Sequence, residues 1–171
     1  MQIMLNRLKQ PKNIAVIAIT AALYVAITYM LAPVGYGMIQ FRLSEVLCLL
    51  AFIDPVYGIG ITIGCFFANL SSPFGLLDVL VGTFATFASI ICISKSKNLL
   101  MASLWPTVFS LLTAAMIAYM SGVNFIITAA WLCLSEFIVV TLIGCPIFTA
   151  ILKNPEIYML LKYKSDEATL Q

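Results

Sequence analysis

Charged side chains in this chain stand almost entirely at the ends of long apolar runs, and that arrangement leaves few folds open. Only 9% of the 171 residues are charged and 63% are hydrophobic, against roughly 25% charged in an ordinary soluble domain. Lipid is therefore the solvent. A helical span takes about 20 mostly apolar residues, and breaks at Pro, Gly and charge divide the chain into runs at 14–32, about 41–53, 56–70, 75–93, 99–120 and 125–151. The pattern predicts an all-α integral membrane protein of about six transmembrane helices, one domain over residues 1–171 with a short tail from about 154.

The stretch from Ile14 to Ala32 is longer than a signal-peptide core and is followed by no cleavage pattern, so it reads as the first span. Asp54 and Pro55, a helix N-cap and a first-turn proline, join spans two and three as a tight hairpin. Arg7, Lys9 and Lys12 precede span one, Lys95 and Lys97 separate spans four and five, and Lys153, Lys162 and Lys164 follow span six. An even number of spans puts all of them on one side, which the excess of basic residues in cytoplasmic loops makes the inside; both termini are then cytoplasmic. Asn154, Pro155 and Glu156 read as a cap opening a short helix whose Ile157, Leu160 and Leu161 lie on the inner leaflet.

The chain has no histidine, and Cys48, Cys65, Cys92, Cys133 and Cys145 lie in apolar runs without paired spacing, so they read as small buried hydrophobes rather than as ligands or nucleophiles. No cofactor, metal or catalytic dyad is expected. A net charge of +2, clustered at span ends, argues against a nucleic-acid partner. Small residues recur every fourth position as Ala18, Ala22 and Ala26, as Gly60, Gly64 and Ala68, and as Ser110, Ala114, Ala118 and Gly122. Such stripes let helix backbones approach closely in lipid. The second and third read as internal packing; the first suits internal packing or another protein.

Ionisable groups inside spans are costly and point to function. Gln40, Arg42 and Glu45 open span two from the outside, Asn69 closes span three, Asp78 lies in the first turn of span four, and Glu136 lies near the middle of span six. Together they describe a polar pocket entered from outside. Each has a bland alternative: Arg42 and Glu45 can simply pair with each other three positions apart, Asp78 can simply complement a helix dipole, and Asn69 can cap a helix. Glu136, about 18 Å into its helix, has no cap or interface to serve. Trp105 and Tyr119, near opposite ends of span five, suit the interfacial belt. Trp131 lies about 140° around the helix from Glu136 and cannot share a pocket centre with it. Tyr36, between Gly35 and Gly37, is the candidate for a movable lid.

Gln40-Phe41-Arg42-Leu43-Ser44-Glu45, then Asn69-Leu70, Gly75-Leu76-Leu77-Asp78-Val79 and Gly82-Thr83-Phe84-Ala85-Thr86, resemble the QueT family of queuosine-precursor transporters, which are substrate-binding (S) components of energy-coupling factor (ECF) transporters. One departure is Ser71-Ser72-Pro73-Phe74, where the resemblance leads us to expect more glycine. The resemblance implies an ECF S-component-like bundle that binds a 7-deazaguanine outside the cell and passes it to a membrane coupling subunit with two ATPases. It also implies that the face carrying Ala18, Ala22 and Ala26 docks on that subunit. The chain carries no GxxxxGK[ST] phosphate loop, in keeping with energy from partners. Competing readings are an S component for another vitamin-like ligand, an intramembrane enzyme, and a stand-alone ion-coupled carrier, which would show a repeat or a mid-membrane helix break.

Overall fold

A computed structural model describes residues 10–31 and 41–162. Every regular element among them is helical: α1 (Pro11–Met30), a 3-10 segment (Leu43–Leu49) running into α2 (Leu50–Ile53), α3 (Pro55–Asn69), α4 (Leu76–Ser94), α5 (Leu99–Ser121), α6 (Phe125–Glu136), a π-helical segment (Phe137–Gly144), α7 (Cys145–Lys153) and α8 (Pro155–Leu161). Four runs, α1, α4, α5 and the continuous helix Phe125–Lys153, are long and apolar enough to cross a membrane, and Leu43–Ile53 and Pro55–Asn69 are shorter apolar helices. The chain is an all-α membrane protein whose helices match the expected spans to within a few residues.

Local chemistry sets the breaks. The Asp54 carboxylate accepts from Val56 N at 3.0 Å with Pro55 in the first turn, and Asn154 accepts from Glu156 N and Ile157 N. Both were expected as caps. Asn98 and Asn124 cap α5 and α6 in the same way. Gly75 opens α4 at φ +63° with ψ −144°, a conformation a side chain would strain.

α1 packs chiefly on α3, α3 on α4, α4 on α5 and α5 on α6. The α1–α3 contact depends on two of the glycines expected to pack internally. A Cβ at Gly60 would lie 2.6 Å from the Ile17 carbonyl oxygen, and one at Gly64 2.8 Å from that of Ala21. Ala114 and Ala118 are likewise buried, while Gly122 is the left-handed C-cap of α5 rather than part of the packed stripe. Ala18, Ala22 and Ala26 all face outward from the bundle.

The apolar interior is divided in two. One cluster gathers Ile53, Ile61, Ile90, Ile93, Ala102, Val139, Val140 and Phe148; the other gathers Ala114, Met116, Ile117, Ala129 and Leu132. Residues 82–89 of α4 and 106–113 of α5 lie between the two along their helices. Leu161 of α8 turns inward onto the first cluster, and Tyr57 Oη donates to its carbonyl at 2.8 Å. The inner-leaflet surface expected of α8 is thus Ile157 and Leu160 without Leu161, which is drawn into the bundle by that contact. Gly60→Leu should force α1 off α3 and destabilise the protein by about 1–3 kcal/mol, as overpacked cores do. Thermal unfolding in detergent reads this; an unchanged melting temperature would show that the contact tolerates bulk.

Candidate functional site

Between the two clusters lies a cavity lined by Arg42, which precedes the 3-10 segment, Glu45 within it, Gly82, Ala85, Thr86 and Ser89 from α4, Pro106, Phe109, Ser110 and Thr113 from α5, and Leu132 and Glu136 from α6. Its empty volume, counting the space at its open side, is about 440 Å³.

The 3-10 geometry decides how Glu45 is held. Residues three apart eclipse one another in such a helix, which brings Cys48 under Glu45, and the Cys48 thiol donates to Glu45 Oε2 at 3.0 Å. The buried Tyr24 hydroxyl of α1 donates to Glu45 Oε1. The Arg42 guanidinium reaches Asp78 Oδ2 of α4 at 3.4 Å, with side-chain exposures of 6% and 0%, so the pair is closed off from lipid and water. A charge pair so enclosed stands only with good partners on both sides.

Of the residues singled out from the sequence, the structure brings Arg42, Glu45 and Glu136 onto one cavity. Asp78 and Asn69 stand behind it. Asp78 is the counter-ion of Arg42, and Asn69 Nδ2 donates to the Asp78 carbonyl at 3.3 Å and to Cys65 Sγ at 3.4 Å. Gly82 leaves room for both, because a Cβ there would lie 2.7 Å from Asn69 Nδ2 and 3.1 Å from Asp78 Oδ1. Gln40 and Tyr36 lie outside the described residues. Trp131 is exposed, turned away from the cavity as its angular offset from Glu136 required.

Glu136 is half-buried at the junction of α6 with the π segment, an insertion that frequently accompanies functional sites. Its Oε2 and the hydroxyl of Ser89, both on the cavity, have no hydrogen-bond partner among the described residues. Buried polar atoms are almost always partnered, so these two leave room for a ligand's donors. The sequence reading missed Thr86, Ser89, Ser110 and Thr113. Their signal was two hydroxyl pairs three residues apart in otherwise apolar helices. It also missed Phe109, whose ring lines the cavity.

A multi-pass helical bundle that shields a charged, partly unsatisfied cavity from lipid is an architecture suited to a membrane transporter. The chain belongs to the QueT transporter family, whose sequence profile matches residues 14–153. A queuosine precursor transporter QueT of Lactococcus lactis subsp. cremoris (strain MG1363) is 47% identical over 76 residues, covering 43% of this chain and 44% of that protein. The chain therefore aligns with less than half of that relative's length. No solved structure matches the chain. It is a multi-pass protein of the plasma membrane.

Asp78→Ala should cost about 3 kcal/mol of stability, the lower end for removing one partner of a buried ion pair, because the Glu45 carboxylate lines the same cavity as Arg42. A melting temperature equal to wild type would mean that Arg42 does not depend on Asp78.

Proposed function

We propose that this chain captures a queuosine precursor, a 7-deazaguanine, outside the cell as the substrate-binding component of an ECF importer. The carrying observation is the cavity that Arg42, Glu45, Glu136 and Phe109 line together. A deazaguanine presents adjacent N–H donors on its pairing edge, an exocyclic oxygen and a flat face. Glu136 accepts the paired donors, Arg42 donates to the oxygen, and Phe109 covers the ring. Two cavity carboxylates face one guanidinium, which is itself shared with Asp78. That surplus of negative charge favours the aminomethyl form, whose ammonium Glu45 accepts through a charge-assisted bond.

Sidedness follows from the alternating helices. Lys12, Lys95, Lys97, Lys153 and Lys162 stand at helix termini on the end of the bundle where Ile53, Tyr57, Ile93, Leu99 and Leu161 pack together. A basic end of that kind is cytoplasmic, with six crossings and both termini inside. The shorter spans two and three reach lipid least, since span two is wrapped by its neighbours. The cavity then opens toward the outside.

Energy comes from a coupling subunit and two ATPases. The exposure of Ala18, Ala22 and Ala26 beside an apolar groove that also includes Val25, Ile63 and Phe67 supports α1 as the docking face.

Calorimetry with aminomethyl and cyano 7-deazaguanines on purified protein tests the ligand. The aminomethyl form should bind more tightly, and Glu136→Gln should weaken binding by about 1–3 kcal/mol by leaving ligand donors unpaired. Equal affinity of wild type and Glu136→Gln would remove Glu136 from the site. Ala22→Trp tests docking: uptake in cells should fail while affinity and melting temperature stay at wild-type values. Loss of all three would place the ridge inside the bundle.

A further inference from the structure

α1 carries two stripes of opposite character. Ala18, Ala22 and Ala26 face out, while Thr20, Tyr24 and Thr28 are buried. Each buried residue lies two positions from an alanine, about 200° around the helix, so the stripes are on opposite sides. The inner stripe reaches the binding segment directly. Tyr24 Oη donates to Glu45 Oε1, and the Thr28 hydroxyl shares a hydrogen bond with Ser44 Oγ at 2.7 Å. Tyr24 is itself seated by α3, since a Cβ at Gly64 would fall 2.9 Å from the Tyr24 Cβ.

Tyr24 does not line the cavity, yet one of the cavity's two carboxylates is oriented by its hydroxyl. A phenol on a rigid ring has only two side-chain torsions, and it donates close to the ring plane. It therefore passes a displacement of the α1 backbone to Glu45 with little slack. The geometry points to Tyr24 as a positioning residue that ties the seating of α1 on α3 to the affinity of the cavity for its ligand. This inference rests on the ligand reading above and adds a route by which a protein seated on the outer face of α1 alters the site. When α1 is drawn away from α3, the Tyr24 hydroxyl leaves Glu45, and Glu45 loses the orientation that suits a ligand cation.

The test is a pair of double-mutant cycles read by calorimetry with aminomethyl 7-deazaguanine on full-length protein. Tyr24→Phe keeps the ring against Gly64 and should weaken binding about 10-fold, the low end for a lost hydrogen bond to a charged group. In a Glu45→Gln background the same change should cost under 2-fold, because contacting residues that act through one another are not additive. Gly64→Ala, which pushes on the Ala21 carbonyl and on Tyr24, should lower affinity about 5-fold in the Tyr24 protein and under 2-fold in the Tyr24→Phe protein. Additive losses in the Tyr24–Glu45 cycle would overturn the inference, as would wild-type affinity in Tyr24→Phe. If Gly64→Ala does not fold, the Tyr24–Glu45 cycle decides alone. Wild-type protein that binds no 7-deazaguanine would reject the ligand reading itself, a result distinct from tight binding that ignores Tyr24.

Discussion

The interaction on which the rest of this protein depends is the enclosure of one guanidinium and its carboxylates in a bundle that lives in hydrocarbon. Arg42 meets Asp78 from a different helix, and Glu45 is held by a phenol and a thiol from two more directions. Lipid cannot solvate any of these groups, so each must be met by protein before the chain inserts stably. This explains why the short Leu43–Ile53 run is the most enveloped of the helices. Its polar residues need neighbours on every side, and its limited length matters little to a segment that touches lipid so sparingly.

The same requirement accounts for the irregular backbone. A 3-10 segment places Glu45 over Cys48, and a π segment begins directly after Glu136. These two segments pack on each other at Gly144, where a Cβ would approach Leu49 Cδ1 to 3.1 Å. α5 carries Pro106 in its interior at the same depth, on the cavity wall. Three of the four walls therefore leave regular α geometry beside the site. The departures aim side chains inward that a straight helix would distribute around its surface.

Much of this architecture was legible in the residues, and the part that was not has a physical reason. Span limits followed from hydropathy, and the caps at Asp54 and Asn154 followed from side chains that bond the first backbone N–H groups. Arg42, Glu45 and Glu136, singled out because charge within a span is rarely idle, line one cavity. Asp78 and Asn69, singled out on the same ground, are not among its lining residues. Sequence gives depth along a helix but not which charge lines a cavity and which meets another charge. Ser89 and Thr86 were invisible because a hydroxyl can bond the carbonyl of its own preceding turn and so carries no obligation to face a cavity. Tyr24 was missed because an aromatic in a span reads as filler until its hydroxyl is seen on Glu45. The 3-10 and π segments have no signature in hydropathy, since the period they alter is too short a stretch to shift the pattern.

The apolar clusters on either side of the cavity are close-packed and resist deformation. Backbone compliance is found instead where hydrogen-bond ladders are interrupted: at Pro106, along the π segment, and in the 3-10 turn. Pro106 and Glu45 of the 3-10 turn line the cavity, and the π segment starts directly after Glu136, which also lines it. The least regular backbone and the buried charged groups thus share one region of the bundle, and α1 reaches that region through the hydrogen bond from Tyr24 to Glu45.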